Sequence, residues 1–127
     1  MSYTKQQKKE YFKKLRENWQ NAKQLLTDEK ISEIQAIVKT HGLKVSATGF
    51  MFVSLQMRRQ NLNGLPYLDA KTYKGWLENG FRVNKGQKST LSGITWISIG
   101  GNDENDGDGY MLPKEYHLFH RTQVSAA

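Results

Sequence analysis

The sequence predicts an α+β domain: two or three N-terminal helices, a short aromatic helix, and a small antiparallel β-sheet with a basic hairpin. Three observations predict it. Apolar residues in the first 26 positions recur every three or four, the period of a helix face. From Phe81 onward the period falls to two, which suits strands. Between these regions Thr, Ser, Asp and Gly sit where helix caps and turns need them. A length of 127 residues fits a single domain, 1–127, with room for a hydrophobic core and little room for a second module.

From Thr4 to Leu26, Phe12, Leu15, Trp19, Ala22 and Leu26 line one helical stripe. Lys9, Lys13 and Lys14 sit beside Glu10 and Glu17 on the polar side, which reads as a solvated face. Thr27 and Asp28 cap a second helix through Lys39, whose Ile31, Ile34 and Val38 form the buried stripe and whose stop is Gly42. These two helices make a pair over residues 1–45, and His41 falls where a cation suits the helix dipole. Phe50-Met51-Phe52-Val53-Ser54-Leu55-Gln56-Met57 is apolar on nearly every side and therefore buried. A helix is favoured there over a strand, because Arg58-Arg59-Gln60-Asn61 supplies good C-terminal residues.

Asn63-Gly64-Leu65-Pro66 is a turn, and Asp69 or Thr72 caps a short helix with Tyr73, Trp76 and Leu77 that ends at Gly80. Phe81 and Val83 alternate with Arg82 and Asn84, Asn84-Lys85-Gly86 suits a hairpin turn, and Leu91 to Ile99 continues as a strand. The acidic stretch 100–109 reads as a mobile loop joining that strand to a last one, Tyr110 to Val124, with Tyr116, Leu118 and His120 on one face. The closing Ser-Ala-Ala is expected to fray.

Charge narrows the function. Nineteen Lys and Arg against twelve Asp and Glu leave +7, distributed +5, +5 and −3 over residues 1–45, 46–99 and 100–127. Such a balance attracts polyanions, nucleic acid before an anionic membrane. Without cysteine there is no disulfide framework and no thiol nucleophile, which suits a reducing compartment, with cytoplasm the default. The longest apolar run, Phe50 to Val53, neither spans a membrane nor serves as a signal sequence.

Several chemistries fail on spacing. Gly80 to Gly86 with Lys88 and Ser89 is not a phosphate-cradling P-loop: five residues separate the glycines, Gln87 precedes the lysine, and β-pattern follows. Asn102, Glu104, Asp106 and Gly107 imitate the start of a calcium loop, but its twelfth position is Pro113. His117 and His120, three apart in a strand, point to opposite faces, so no zinc site is expected. No nucleophile elbow or triad is apparent. The expectation is a protein that is not an enzyme and needs no cofactor.

Binding remains, and residues 71–90 carry it, with five cations and three aromatics in twenty positions. Lys71, Lys74, Arg82, Lys85 and Lys88 suit phosphates, Tyr73, Trp76, Phe81 and the later Trp96 offer faces for unstacked bases, and Arg58 and Arg59 extend the cationic set. The competing reading makes Trp76 and Phe81 core residues, and Lys85 and Lys88 a solvated turn.

Thr72-Tyr73-Lys74-Gly75-Trp76 followed by Gly80-Phe81-Arg82-Val83-Asn84-Lys85-Gly86-Gln87-Lys88 resembles the Y-x-x-W … G-x-x-V-x-K-G-E-K stretch of the N-terminal domain of ArdC-type antirestriction proteins, with Gln87 where that family has Glu. Phe52 to Met57 with Arg59-Gln60 resembles its preceding apolar helix, and Tyr116 to Val124 its closing Y-x-x-F-x-x-x-Q strand, so the likeness covers 46–124. The resemblance implies a phage- or plasmid-borne domain that binds single-stranded DNA. It also implies a fused zinc metallopeptidase with a His-Glu-x-x-His helix, a motif these 127 residues lack. The expected partner is single-stranded DNA, with RNA open, and its binding is expected to quench tryptophan fluorescence. A different reading is a protein-interaction module that inhibits a host defence nuclease through its charged surfaces, with a host defence protein as partner.

Overall fold

The computed structural model describes residues 4–100 and 110–127, and the acidic stretch expected to form a mobile loop lies outside them from 101 to 109. The order is α1 (Lys5–Gln24), α2 (Asp28–His41), α3 (Ala47–Arg59), β1 (Ala70–Lys71), α4 (Tyr73–Glu78), β2 (Phe81–Val83), β3 (Leu91–Ile99), β4 (Tyr110–His120), a 3-10 turn (Arg121–Gln123) and β5 (Val124–Ala126). The α+β class is as the sequence predicts. Each helix begins on a side-chain cap: Thr4 accepts from Gln7 N–H, Thr27 from Lys30, Ser46 from Gly49 and Thr72 from Gly75. Gly42 closes α2 in the left-handed conformation.

The ambiguous apolar run is α3, the central helix. Phe50, Met51, Phe52, Val53 and Met57 are all buried in one cluster with Leu15 and Ala22 of α1, Ile34 of α2, and Leu91, Ile94 and Leu118 of the sheet. Each such side chain contributes roughly 1.5–3 kcal/mol by leaving water. Gln56 of α3 and its C-cap Gln60 both bond to the sheet region. Gln56 donates to Ser92 O (2.7 Å) and accepts from Ser92 N–H (2.9 Å), as a neighbouring strand would, and Gln60 donates to Thr90 O (2.7 Å). Among the described residues no helix is long and apolar enough to cross a membrane.

β3 and β4 pair antiparallel from Leu91↔Leu118 to Ile99↔Tyr110, and β1 adds to the far edge of β4 through Ala70↔His120 and Lys71↔Phe119. Gln56 on Ser92, and Arg16 donating to Met111 O, mark residues whose backbone groups turn away from the β3–β4 ladder. Alternation places Pro113, opposite Trp96, in the same set, so its missing N–H costs no ladder bond.

Two details differ from expectation. Asn84 to Gln87 does turn, but β2 does not pair with β3; it pairs with β5 through Phe81↔Ala126, Arg82↔Ser125 and Val83↔Val124. The basic hairpin is therefore a turn leaving a two-stranded ribbon. Ser125 and Ala126 belong to that ribbon's second strand rather than to a frayed end, and Ala127 N–H reaches Gly80 O at 2.9 Å. Three small residues carry no side-chain signal for a strand, and only backbone groups make one.

Gly93 faces Tyr116 across the ladder, and the tyrosine ring fills the space a Cβ would need. The ring's hydroxyl is fixed in turn by Tyr67. Gly93→Ala is expected to cost about 1–3 kcal/mol by overpacking. A fall in the urea midpoint at unchanged m checks this, and adding Tyr116→Ala should give a less than additive loss.

Candidate nucleic-acid interface

Trp76 organises the region the sequence singles out. Thr72 caps α4, and Asn79 closes it by donating from Nδ2 to Gly75 O (2.7 Å), so six residues hold a helical turn. That turn buries Trp76 completely. Its Nε1–H donates to Phe119 O at 2.8 Å, and its ring meets Phe81 edge-on at 5.4 Å. Two cations lie against the same indole, Arg121 at 5.1 Å and Lys71 at 5.8 Å from the ring centroid, and Arg121 is also 5.7 Å from Phe81.

Arg121 is further clasped. Its Nε donates to Asp69 Oδ1 (2.6 Å), one Nη to Leu68 O (3.0 Å), and its backbone N–H to Asp69 O (2.7 Å). Burial pushes the Asp69 carboxyl up, but the Arg121 guanidinium and the Leu65 N–H more than offset that and hold it below the usual carboxylate range. Burial, then repulsion from Arg121, pushes the Lys71 ammonium below its usual range, and Asp69 restores part of it. Lys71 Nζ donates to Tyr67 O at 2.9 Å. Burial first, then the Tyr116 hydroxyl, pushes the Tyr67 phenol up. Thr122 N–H donates to His120 Nδ1, so the proton on Nε2 goes to Asn63 O at 2.7 Å. His120 is thus a buried structural residue.

The basic turn is strapped from the C-terminal segment. Gln87 N–H closes it on Asn84 O (3.1 Å), and Gly86 takes φ +84°, which suits glycine. Gln123 donates to Lys88 O (2.7 Å) and to Gln87 Oε1 (3.2 Å), Asn84 N–H donates to Gln123 O, and Ser125 Oγ donates to Asn84 Oδ1. Arg82, Lys85 and Lys88 stand exposed around this frame, and among the described residues none has an acidic partner.

The expected site residues separate into groups. Lys71, Trp76 and Phe81 come together, but in the clasp, where Trp76 presents no face to a ligand and Phe81 is half-buried. Tyr73 is 54% exposed, with its ring edge on Phe119, and Lys74 pairs with Glu78 in solvent at 3.9 Å. Trp96 is half-buried and packs edge-on against Trp19 of α1 at 5.5 Å with its indole nitrogen buried. Arg58 and Arg59 diverge, Arg58 toward α2 and the 62–66 loop, Arg59 toward a groove with Asn18, Ser92 and Glu115. All three tryptophans have aromatic partners within the fold, Trp76 fully buried and Trp19 and Trp96 half-buried. Sequence reasoning missed Arg121 and Gln123, whose partners lie 35 to 53 positions away. The glutamine of the closing Y-x-x-F-x-x-x-Q pattern was the one signal available for Gln123.

No known protein family, curated protein or solved structure matches this chain.

The lowered Asp69 carboxyl makes stability depend on acid. The group stabilises the fold fully above about pH 4, its unfolded range, and that contribution is lost as pH falls through the lower native value. The stability difference between wild type and Asp69→Asn is expected to be flat from pH 5 to 7 and to shrink below about pH 4, as read by urea melts across pH.

Proposed function

We propose that this chain is a sequence-tolerant single-strand-binding protein, with DNA its first ligand, belonging to a phage or plasmid and shielding strands from host defence nucleases. The observation that carries the reading is the strapped turn, where Arg82, Lys85 and Lys88 project, without acidic partners among the described residues, from a backbone held by Gln123 and Ser125. The resemblance of 72–88 to the ArdC-type N-terminal domain supports DNA as the ligand and a mobile element as the setting.

The cations neutralise phosphates, and Tyr73 offers the exposed ring on which a base stacks. Neither contact reads base edges, so sequence tolerance follows. With Trp76 in the interior and Trp96 half-buried against Trp19, phosphate contacts outweigh stacking, and salt dependence is the principal signature.

Three to five phosphate contacts give a log–log salt slope of about −2 to −3.5, a loss of roughly 20- to 130-fold in affinity between about 50 and 200 mM salt. Anisotropy of labelled dT20, rU20 and a 20-base-pair duplex measures it. Lys85→Ala with Lys88→Ala should flatten the slope by about 1.4, and Tyr73→Ala should cost about 1–3 kcal/mol with little change in slope. Equal affinity for duplex, or no salt slope, sinks the proposal.

A further inference from the structure

A groove of about 310 Å³ lies between the α2–α3 connection and α4, on the flank of the Trp76 clasp. Its apolar lining is Leu43, Val45, Tyr67 and the fully buried Leu118. Its polar lining is Lys44, Lys71, Thr72 and Asn79, and Gly75 of α4 completes it. We propose that this groove takes one nucleotide of a bound strand, with the base against the apolar wall and its phosphate between Lys44 and Lys71. The inference rests on the single-strand reading and gives it a second contact, in an open groove, beyond the turn.

Size and chemistry agree on such a ligand. The volume is at the small end of ligand pockets, and an apolar wall facing cations suits a group that is flat and apolar at one end and anionic at the other. Lys71 uses one of its three donors on Tyr67 O, leaving two for an anion. The hydroxyl of Thr72 accepts from Gly75 N–H and has its own proton to give. Asn79 donates to Gly75 O, which leaves its side-chain oxygen as an acceptor toward a base. Lys71 and Arg121 both lie against Trp76 and repel one another, so an anion beside Lys71 relieves a repulsion already present. Tyr67 holds φ +66°, a strained value for an aromatic residue, fixed by its bonds to Lys71 and Tyr116. The wall is therefore set before a ligand arrives.

The test uses the full chain, ¹⁵N-labelled, with dT8 and an abasic octamer carrying the same phosphates. Expected are amide shifts at Leu43, Val45, Gly75 and Asn79 with dT8, and at Lys44 and Lys71 alone with the abasic strand. Lys44→Glu should weaken dT8 by at least about fivefold near 0.1 M salt and lower the salt slope by about 0.7, one phosphate contact. Lys8→Glu, the same charge change in the first turn of α1, is the control and should have a smaller effect. If dT8 binds with shifts confined to 82–88, or Lys44→Glu behaves as Lys8→Glu, the groove inference falls while strand binding stands. Abasic strands moving Leu43 and Val45 as far as dT8 overturn the base contact. No binding of dT8 overturns both.

Discussion

The structure depends on covering α3. A helix apolar on nearly every side cannot be satisfied by one neighbour, so α1 and α2 must pack on it together with the sheet. Its glutamines then settle where the sheet goes: Gln56 brackets Ser92 as a neighbouring strand would, and Gln60 holds Thr90. That places β3, and the ladder from Leu91↔Leu118 places β4. The end of β4 supplies the Phe119 carbonyl that receives Trp76, and α4 hands on directly to β2 and the basic turn. The surface cations are positioned by a chain of contacts that begins in the core.

The positive charge divides into two populations with different work. Arg121 and Lys71 lie against Trp76 and are committed to hydrogen bonds with Asp69, Leu68 and Tyr67. Arg82, Lys85 and Lys88 have no such commitments among the described residues. Deleting Arg121 removes packing and leaves Asp69 without its partner, and deleting Lys71 removes its contacts with Trp76 and Tyr67, whereas deleting a cation of the second kind alters only the field. A loss of binding in the first group therefore says little about contact, and the second group is where mutation reads binding directly.

Helix starts were legible because each rests on one hydroxyl three residues ahead of the amide it serves, as at Thr4, Thr27, Ser46 and Thr72. The interior place of Trp76 was open in the sequence, since a helix face with one tryptophan can turn either way. The packing of Trp96 on Trp19 was not legible, because alternation assigns it a face of β3 but not what lies against that face, which is α1, some 75 positions earlier. β1 and β5 escaped because they are two and three residues long and exist only through their partners. The basic residues of 82–88 were found because charge and glycine are local signals. The Arg121 clasp and the groove beside it join residues brought together by the fold alone.

The pairing of β2 with β5 changes how the turn should behave. A hairpin between β2 and β3 would tie the basic residues to the ladder at both ends and leave Gln123 and Ser125 without a role there. In the observed arrangement Gln123 spans from Asn84 N–H to the Lys88 carbonyl, and Ser125 holds the Asn84 side chain. The backbone of 84–88 is thereby ordered while the lysine side chains stay free. Binding a phosphate then orders side chains but little backbone, and a smaller share of the interaction is lost to entropy than in a loose basic loop. The same strap fixes the backbone positions that carry the cations, so on the single-strand reading a strand whose phosphates can adapt fits the turn better than a duplex whose phosphates cannot.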